Sequence, residues 1–361
     1  MSVFKNIQKC FFSLLLLQIF FSQCYGQKKD SLHVALFSDV YLSATPSLSE
    51  AERAHYVANY HRFNKPEFNF SAATFHYTSN HFRTSLGLMA GTYTDRNMLS
   101  EEPSARNIYE ASIGYRFTSD EDIWLDVGVL PSHIGFESVP AQKNWSGSRS
   151  LVADLSPYYE TGLRLSYRPN ESWYFSILAL NGWQRITVPL ERFGESWGMQ
   201  VTWQPEPNWL INSSSFIGRV PSSKEGTTRM YSNLYTTLQL NPRMWVMAGW
   251  DWGMQDNRLV QWNDLLLQYR YAFAYNKFFG NFRYEYLSDP SSIFRPDLAG
   301  IKNRVHLTSL NFDYLLLRKC MLRAEMNYQI SPDKIFNTGK VNDDRLLSFL
   351  LVASVQLDYI K

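Results

Sequence analysis

Along most of the chain, apolar and polar residues alternate one by one. In Phe282-Arg283-Tyr284-Glu285-Tyr286 three aromatics fall on one parity and two charges on the other. Successive side chains of an extended strand point to opposite faces, so this pattern predicts a strand with one apolar and one polar side. The same split sets Tyr109, Ala111, Ile113, Tyr115 and Phe117 against Glu110, Ser112, Gly114 and Arg116. It sets Trp197, Met199, Val201 and Trp203 against Gly198, Gln200 and Thr202, and Leu322, Ala324, Met326 and Tyr328 against Arg323, Glu325, Asn327 and Gln329. One such strand decides little. Recurrence over most of the chain implies a sheet with one continuous apolar face and one continuous polar face.

The connections sharpen the picture. Short polar breaks fall near Ser79-Asn80, Ser119-Asp120-Glu121, Pro169-Asn170-Glu171, Pro205-Glu206-Pro207, Asn241-Pro242, Asn276-Lys277 and Arg318-Lys319. Between them lie longer segments at 43–64, 94–106, 131–156, 182–194, 218–228, 254–261, 289–303 and 331–343. Short and long connections therefore alternate, which is the signature of an all-β, antiparallel up-and-down transmembrane barrel with short periplasmic turns and long outer loops. The count comes to about sixteen strands of roughly 9 to 14 residues, and since a missed or split hairpin changes it by two, about fourteen or eighteen stay open. At that size the lumen is expected to be a water-filled channel and not a packed core.

Composition agrees with a barrel. Aromatics make up 16% of the chain and charged residues only 19%, yet the mean hydropathy is slightly negative. Strands that bury only every second side chain, with aromatic girdles at the interfaces, give that combination; helical spans do not. Lys5 and Lys9 precede an apolar stretch from Cys10 to Phe21, followed by Cys24-Tyr25-Gly26, so residues 1–26 read as a secretory signal and 27–361 as one barrel domain. The apolar stretch is well short of the ~20 residues that span a bilayer as a helix. Cleavage takes Lys5 and Lys9 from the 35 basic residues, which leaves them level with the 33 acidic ones. A neutral balance argues against nucleic acid as a partner. Cys10 and Cys24 leave with the signal, so Cys320 alone remains and no intramolecular disulfide forms.

Alternation also assigns a lumen-facing set of Arg83, Arg116, Arg164, Arg168, Arg270, Arg283 and Arg323 with Glu110, Asp126, Glu160, Asp264, Glu285, Asp313 and Glu325. Such charges either set a transverse field across a pore or pair across neighbouring strands and brace the wall. The third outer loop, 131–156, is the longest and carries His133, Glu137, Lys143, Arg149 and Asp154. It either folds inward as a constriction or lies over the mouth as a lid. Trp124, Trp173, Trp183, Trp197, Trp203, Trp209, Trp245, Trp250 and Trp262 fall near strand ends, where anchoring at the headgroups accounts for them; stacking on sugar rings inside a channel is the other reading for a few.

Catalytic signals are poor. There is no Gly-rich phosphate loop, no Gly-x-Ser-x-Gly elbow and no close His/Cys cluster with metal spacing, so no enzyme activity, cofactor or metal is expected. A Ser/His pair assembled from distant strands leaves no local motif, which keeps a barrel lipid hydrolase open.

The segments 124–138 (WLDVGVLPSHIGFES), 156–162 (SPYYETG), 180–185 (LNGWQR), 212–218 (NSSSFIG) and 333–336 (DKIF) resemble the OmpL-like beta-barrel porin family of Gram-negative outer membranes. The resemblance covers nearly the whole chain after the signal. It implies an outer-membrane porin of broad or unknown substrate range and carries over no catalytic or ligand residues. Barrel strands commonly end the chain on an aromatic; here the end is Leu357-Asp358-Tyr359-Ile360-Lys361, with Tyr359 on the outward parity of Phe349, Leu351, Ala353, Val355 and Leu357.

The expected function is therefore a passive diffusion channel for small hydrophilic solutes, constricted by loop 131–156. Its expected partners are outer-membrane lipid, those solutes, the outer-membrane insertion machinery and, by analogy with general porins, further copies of itself. The rivals are a plugged binding or structural barrel, separable by ion conductance, the lipid hydrolase, separable by esterase or phospholipase activity, and a secreted β-sandwich that would need no detergent.

Overall fold

The structure is a computed structural model and describes residues 30–46, 53, 57–188, 194–220, 227–255, 260–273, 277–295, 298, 301–317, 319–337 and 342–361. The signal segment expected over residues 1–26 lies outside them. Strands follow one another as β1 (Ser31–Ala44), β2 (Pro66–Thr78), β3 (Phe82–Ala90), β4 (Ile108–Arg116), β5 (Asp122–Pro131), β6 (Tyr159–Asn170), β7 (Trp173–Leu180) and β8 (Ser196–Glu206). The second half comprises β9 (Trp209–Arg219), β10 (Thr228–Asn241), β11 (Met244–Gln255), β12 (Val260–Ala272), β13 (Phe278–Asp289), β14 (Asn303–Leu317), β15 (Cys320–Ile330), β16 (Phe336–Asn337), β17 (Asn342–Asp343) and β18 (Arg345–Ile360). Among the described residues, sixteen of these (β1–β15 and β18) pair antiparallel with their neighbours and close into one barrel, while β16 and β17 form a two-residue clip in the last long connection.

Closure runs through β1 and β18, with Val34 opposite Tyr359 and Leu36 opposite Leu357, and Lys361 N–H donates to the Leu32 carbonyl at 2.9 Å. A closed ladder leaves no edge, so every strand meets its backbone hydrogen-bonding needs without water, the condition for crossing hydrocarbon with strands. Among the described residues no helix is long and apolar enough to cross a membrane.

Alternation dictates the two faces. Leu36, Phe75, Leu86, Ile113, Val127, Leu165, Ile177, Met199, Ile217, Leu234, Trp250, Leu267, Phe282, Phe312, Leu322 and Leu351, one from every barrel strand, are exposed on the outside. An apolar belt of this extent is untenable in water and is the lipid-facing surface of a membrane barrel. The opposite parity carries Asp39, Glu110, Asp126, Asp251, Asp264, Arg283, Glu285, Asp313, Arg323 and Glu325, all buried inside.

The barrel strands run from eight residues in β7 to sixteen in β18, a wider spread than the alternation suggests. Two expected turns lie partly in strands: Pro169-Asn170 ends β6 and Pro205-Glu206 ends β8, each where the register to the next strand shifts. A proline lacks the N–H for a ladder bond and is tolerated at such irregularities. The tryptophans divide. Trp173, Trp203 and Trp209 stack in a row near the short turns, with ring centroids 5.5 and 6.4 Å apart, and Trp203, Trp209, Trp197 and Trp250 are exposed on the outer face. Headgroup anchoring does not account for Trp124 and Trp262, which are 6% and 1% exposed and share the inward parity of Asp126 and Asp264.

The expectation of a water-filled lumen needs correction. The connection between β5 and β6 enters the barrel and fills much of it. Its Ala141 packs with Tyr41, Tyr60, Leu350 and Val352, its Leu151 and Leu155 with Leu287, Leu307 and Leu346, and its Val152 with Met247 and Leu266. A ring of sixteen strands sets the lumen's width, but a long connection with apolar residues of its own can still occupy it.

Candidate functional site

The site is built from the inside out around loop 3, residues 132–158. His133 leaves β5 and is clamped at once: Nδ1 meets Glu160 Oε2 at 2.7 Å, Nε2 meets the Ser215 carbonyl at 2.8 Å, and Ser214 Oγ donates to the His133 carbonyl. The ring lies against Gly198, where a Cβ would stand 2.6 Å from His133 Cε1, so the wall needs glycine at this close approach. Burial pushes the His133 pKa down, but the Glu160 charge and hydrogen bond and the Ser215 carbonyl outweigh it and raise the value. Both ring nitrogens face acceptors, which suits the doubly protonated imidazolium.

From there the loop descends. Gly135 N–H donates to Asn233 Oδ1 at 3.3 Å, and Phe136 packs on Tyr235 with ring centroids 5.3 Å apart. Asn144 closes the bend by accepting from Ser138 N–H at 2.9 Å and donating to its carbonyl at 2.8 Å. Gln142 Nε2 reaches Ser354 Oγ at 3.1 Å and the Lys319 carbonyl at 3.4 Å, the latter in the short turn between β14 and β15. The loop thus spans the lumen from the long-connection end to the short-turn end.

Its return is held by charges on the far wall. Arg323 binds both oxygens of Asp313 at 2.6 and 2.8 Å and donates to the carbonyls of Ala141, Ser146 and Asn144 at 2.8, 2.6 and 2.9 Å. Glu325 accepts from Ser148 N–H and Oγ, each at 2.6 Å, while Arg283 donates to the Ser148 carbonyl and hydroxyl, each at 2.8 Å. Arg283 also pairs with Glu285 at 2.9 Å, and Glu285 accepts the Leu151 N–H at 2.5 Å. Leu151 opens a one-turn helix (Leu151–Asp154) capped by Ser150 Oγ, so the carboxylate sits where free N–H groups favour negative charge.

Between descent and return lies a charged layer. Glu137 Oε2 accepts from Ser150 N–H and Oγ at 2.8 and 3.0 Å, and Arg149 donates to the Glu137 carbonyl at 3.1 Å while lying 4.4 Å from the Tyr158 ring centroid. Tyr158 hydroxyl donates to Asp154, whose pKa burial pushes up to about 7 against the lowering effect of that bond and of Arg149. A cavity of about 230 Å³ on the long-connection side is lined by Arg96, Asp154, Tyr158, Trp183 and Arg229, and one of about 410 Å³ on the short-turn side by Phe136, Glu137, Lys143, Trp145, Trp245 and Gln268.

The wall the loop leaves uncovered is more basic. Arg83 and Arg164 share Asp126 at 2.5 to 3.1 Å, and Arg83 lies over Trp124. Glu110 faces His76 at 3.2 Å, Arg270 pairs with Asp313, and Lys143 is exposed inside. Arg116 and Arg168 lie at the short-turn rim, where Arg116 donates to the Glu121 carbonyl and Arg168 stacks on Tyr174, so the structure does not bring these two to the loop. The residues that alternation alone did not single out are Tyr235, Trp245, Gln268 and Arg229, which face the two cavities. Strand parity would have found all four, since Arg229 keeps step with the inward Tyr231, Asn233 and Tyr235 of β10; what parity does not show is that Arg229 lies over Trp183 and Phe294 of two connections and Trp262 of β12. Among the described residues, no group of three His, Cys, Asp or Glu could hold a metal ion.

Known structures share this architecture. The outer membrane channel DcaP of Acinetobacter baumannii superposes with a TM-score of 0.58 at 11% identity, over 91% of this chain and 97% of that one. The trimer form of OmpT, an outer membrane protein of Vibrio cholerae, gives 0.57 at 10% over 91% and 99%, and an anion-selective porin from Comamonas acidovorans 0.57 at 10% over 92% and 100%. At such identities the likeness speaks for the fold alone. No curated protein matches the chain. Residues 31–357, however, match the family described as "Putative beta-barrel porin-2, OmpL-like". With the lipid-facing belt, the closed barrel and this match across nearly all the described chain, the protein belongs to the OmpL-like beta-barrel porins of the outer membrane.

Proposed function

We propose that the protein is a passive diffusion channel for small hydrophilic solutes, narrowed by loop 3 and by the charges His133, Glu137, Lys143, Arg149 and Asp154 that it carries into the lumen. The observation that supports this reading is the pair of cavities left on either side of the loop, each lined by side chains that include charged ones, with the half-buried Arg83 and Arg164 on the wall the loop leaves uncovered. A solute passing here exchanges part of its water for fixed dipoles and charges, which sets both size limit and preference. The chain reaches the membrane through export with removal of residues 1–26, and the insertion machinery reads the outward face that ends on Tyr359. Assembly with further copies follows general porins of this size.

A plugged barrel is the second reading, favoured by the density of buried hydrogen bonds that Arg283, Arg323 and Glu325 make to the loop. Single-channel conductance of the refolded protein, beside a variant lacking residues 138–153, separates the two. Stable openings that grow in the deletion support the constricted porin. Silence that turns to conductance on deletion means a plug, and silence in both rejects a channel altogether.

A further inference from the structure

The cavity of about 410 Å³ on the short-turn side of loop 3 falls within the ~300–1,000 Å³ of small-molecule sites. Its lining is unusual for a simple water-filled passage. Phe136 and Trp145 come from the loop, Trp209 from β9, Tyr235 from β10 and Trp245 from β11, so five aromatic residues line one cavity together with polar ones. Trp245 shares the inward parity of Met247 and Asp251, on the other side of β11 from the exposed Trp250. Among the polar groups, Gln268 is only 4% exposed, yet neither its amide nitrogen nor its amide oxygen has a hydrogen-bond partner among the described residues. Glu137 is in the same state at one end: Oε2 holds Ser150, while the buried Oε1 has no partner among them.

A buried amide with both ends unmatched is costly unless something in the site supplies a donor and an acceptor together. Chloride supplies no donor and a bare metal cation no acceptor, while water and the protonated oxyanions supply both. None of these has an apolar face to lay on an aromatic ring. A sugar ring has all three: hydroxyls that donate and accept at fixed spacing, and a C–H face that packs on Trp or Tyr. The free carboxylate oxygen of Glu137 adds a strong acceptor for a further hydroxyl.

We propose that this cavity is a subsite for a neutral, sugar-like polyhydroxylated solute, held between the Trp245 and Tyr235 faces and the Gln268 amide with Glu137. The inference deepens the porin reading and rests on it for its role in permeation. Residence at such a site makes passage saturable, unlike free diffusion through a wide pore.

The test uses the detergent-folded and bilayer-inserted barrel. Intrinsic tryptophan fluorescence is titrated with D-glucose and maltose at millimolar concentration, and open-channel current is recorded with the same sugars and with a polyethylene glycol of matched size. The expected result is a saturable fluorescence change and a saturable current block by the sugars only. Gln268→Leu and Trp245→Ala each weaken half-saturation by about ten-fold or more, while Trp250→Leu on the lipid face of the same strand does not. Heat-modifiable mobility on gels identifies a variant that fails to fold, in which case the sugar-against-glycol contrast in the wild type decides. A conducting channel on which sugars and glycol act alike, without saturation, overturns the subsite and leaves the porin. Saturable fluorescence in a barrel that never conducts keeps the subsite and overturns the channel. Tighter saturation by L-arginine or L-glutamine than by either sugar overturns the chemical class.

Discussion

Arg323 shows how much of the lumen rests on single side chains. Its guanidinium donates to two carboxylate oxygens of Asp313 and to three loop carbonyls, a planar fork that lysine cannot reproduce. Arg323→Ala strands a buried Asp313 with Arg270 as its remaining cation and frees the carbonyls of Ala141, Asn144 and Ser146. The expected loss is about 3–5 kcal/mol, the range for breaking one side of a buried pair, read as a lower urea midpoint in detergent together with larger unitary conductance. Arg323→Lys falls between the two. On the opposite wall Gly198→Val drives a side chain into the His133 ring and releases the upper end of the loop, which limited proteolysis between His133 and Asp154 detects. Alternation puts Arg323 on the polar face and leaves its role between field and brace. Its partners were illegible, because loop carbonyls carry no side-chain signal that a sequence can show.

At the level of the element, loop 3 has its own pH dependence. Asp154 has an ordinary value of 3.8 and is pushed up to about 7 by burial, with Arg149, Tyr158, Glu137 and Arg53 as its charged and titratable neighbours. The lodged loop therefore binds a proton that the released loop gives up, and its hold weakens as pH rises from about 4 through about 7. His133 acts in the same sense. Its value is raised above 6.5, so its contribution is full below 6.5 and lost as pH climbs through the higher value. Hydrogen-exchange protection across residues 133–154, corrected for the base-catalysed rise of intrinsic amide exchange, is expected to fall by about ten-fold or more between pH 5.5 and 8.5, since a pKa that differs by one between lodged and released loop changes their equilibrium about ten-fold. Asp154→Asn removes the acid-side part of the change and His133→Gln the alkaline-side part; a profile unmoved by both would place the titration elsewhere in the barrel. The length and charge of this loop were plain in the sequence, but its inward path was not. Residues 132–158 have no strand or helix period from which a direction could be read. By contrast the inward turn of Trp124, Trp245 and Trp262 was within reach, since each keeps step with inward residues of its own strand.

For the molecule as a whole, alternation and the rhythm of short and long connections carried the barrel, its even strand number and its lipid face, because these follow from backbone geometry. What fills the barrel does not follow from it, and the filling sets the charge balance of the passage. Acidic groups of the lumen are mostly hidden: Asp126 and Glu110 side chains are 3% and 6% exposed, and Glu285 and Glu325 are sealed under the loop. Basic ones are less so, with Arg83 at 31%, Arg164 at 22%, and Arg168 and Lys143 exposed. A passage bounded this way favours anions modestly, and the reversal potential in a KCl gradient is expected to show chloride ahead of potassium. Replacing both Arg83 and Arg164 with glutamine brings the ratio toward one. Deleting residues 138–153 does more, because that segment carries Lys143 and Arg149 and no acidic residue. It also uncovers the Glu285 and Glu325 row beside its arginines. The deletion channel should conduct more and shift toward potassium. If it grows but keeps the same anion preference, selectivity belongs to the β3 and β6 wall alone, and the loop acts by size without contributing charge.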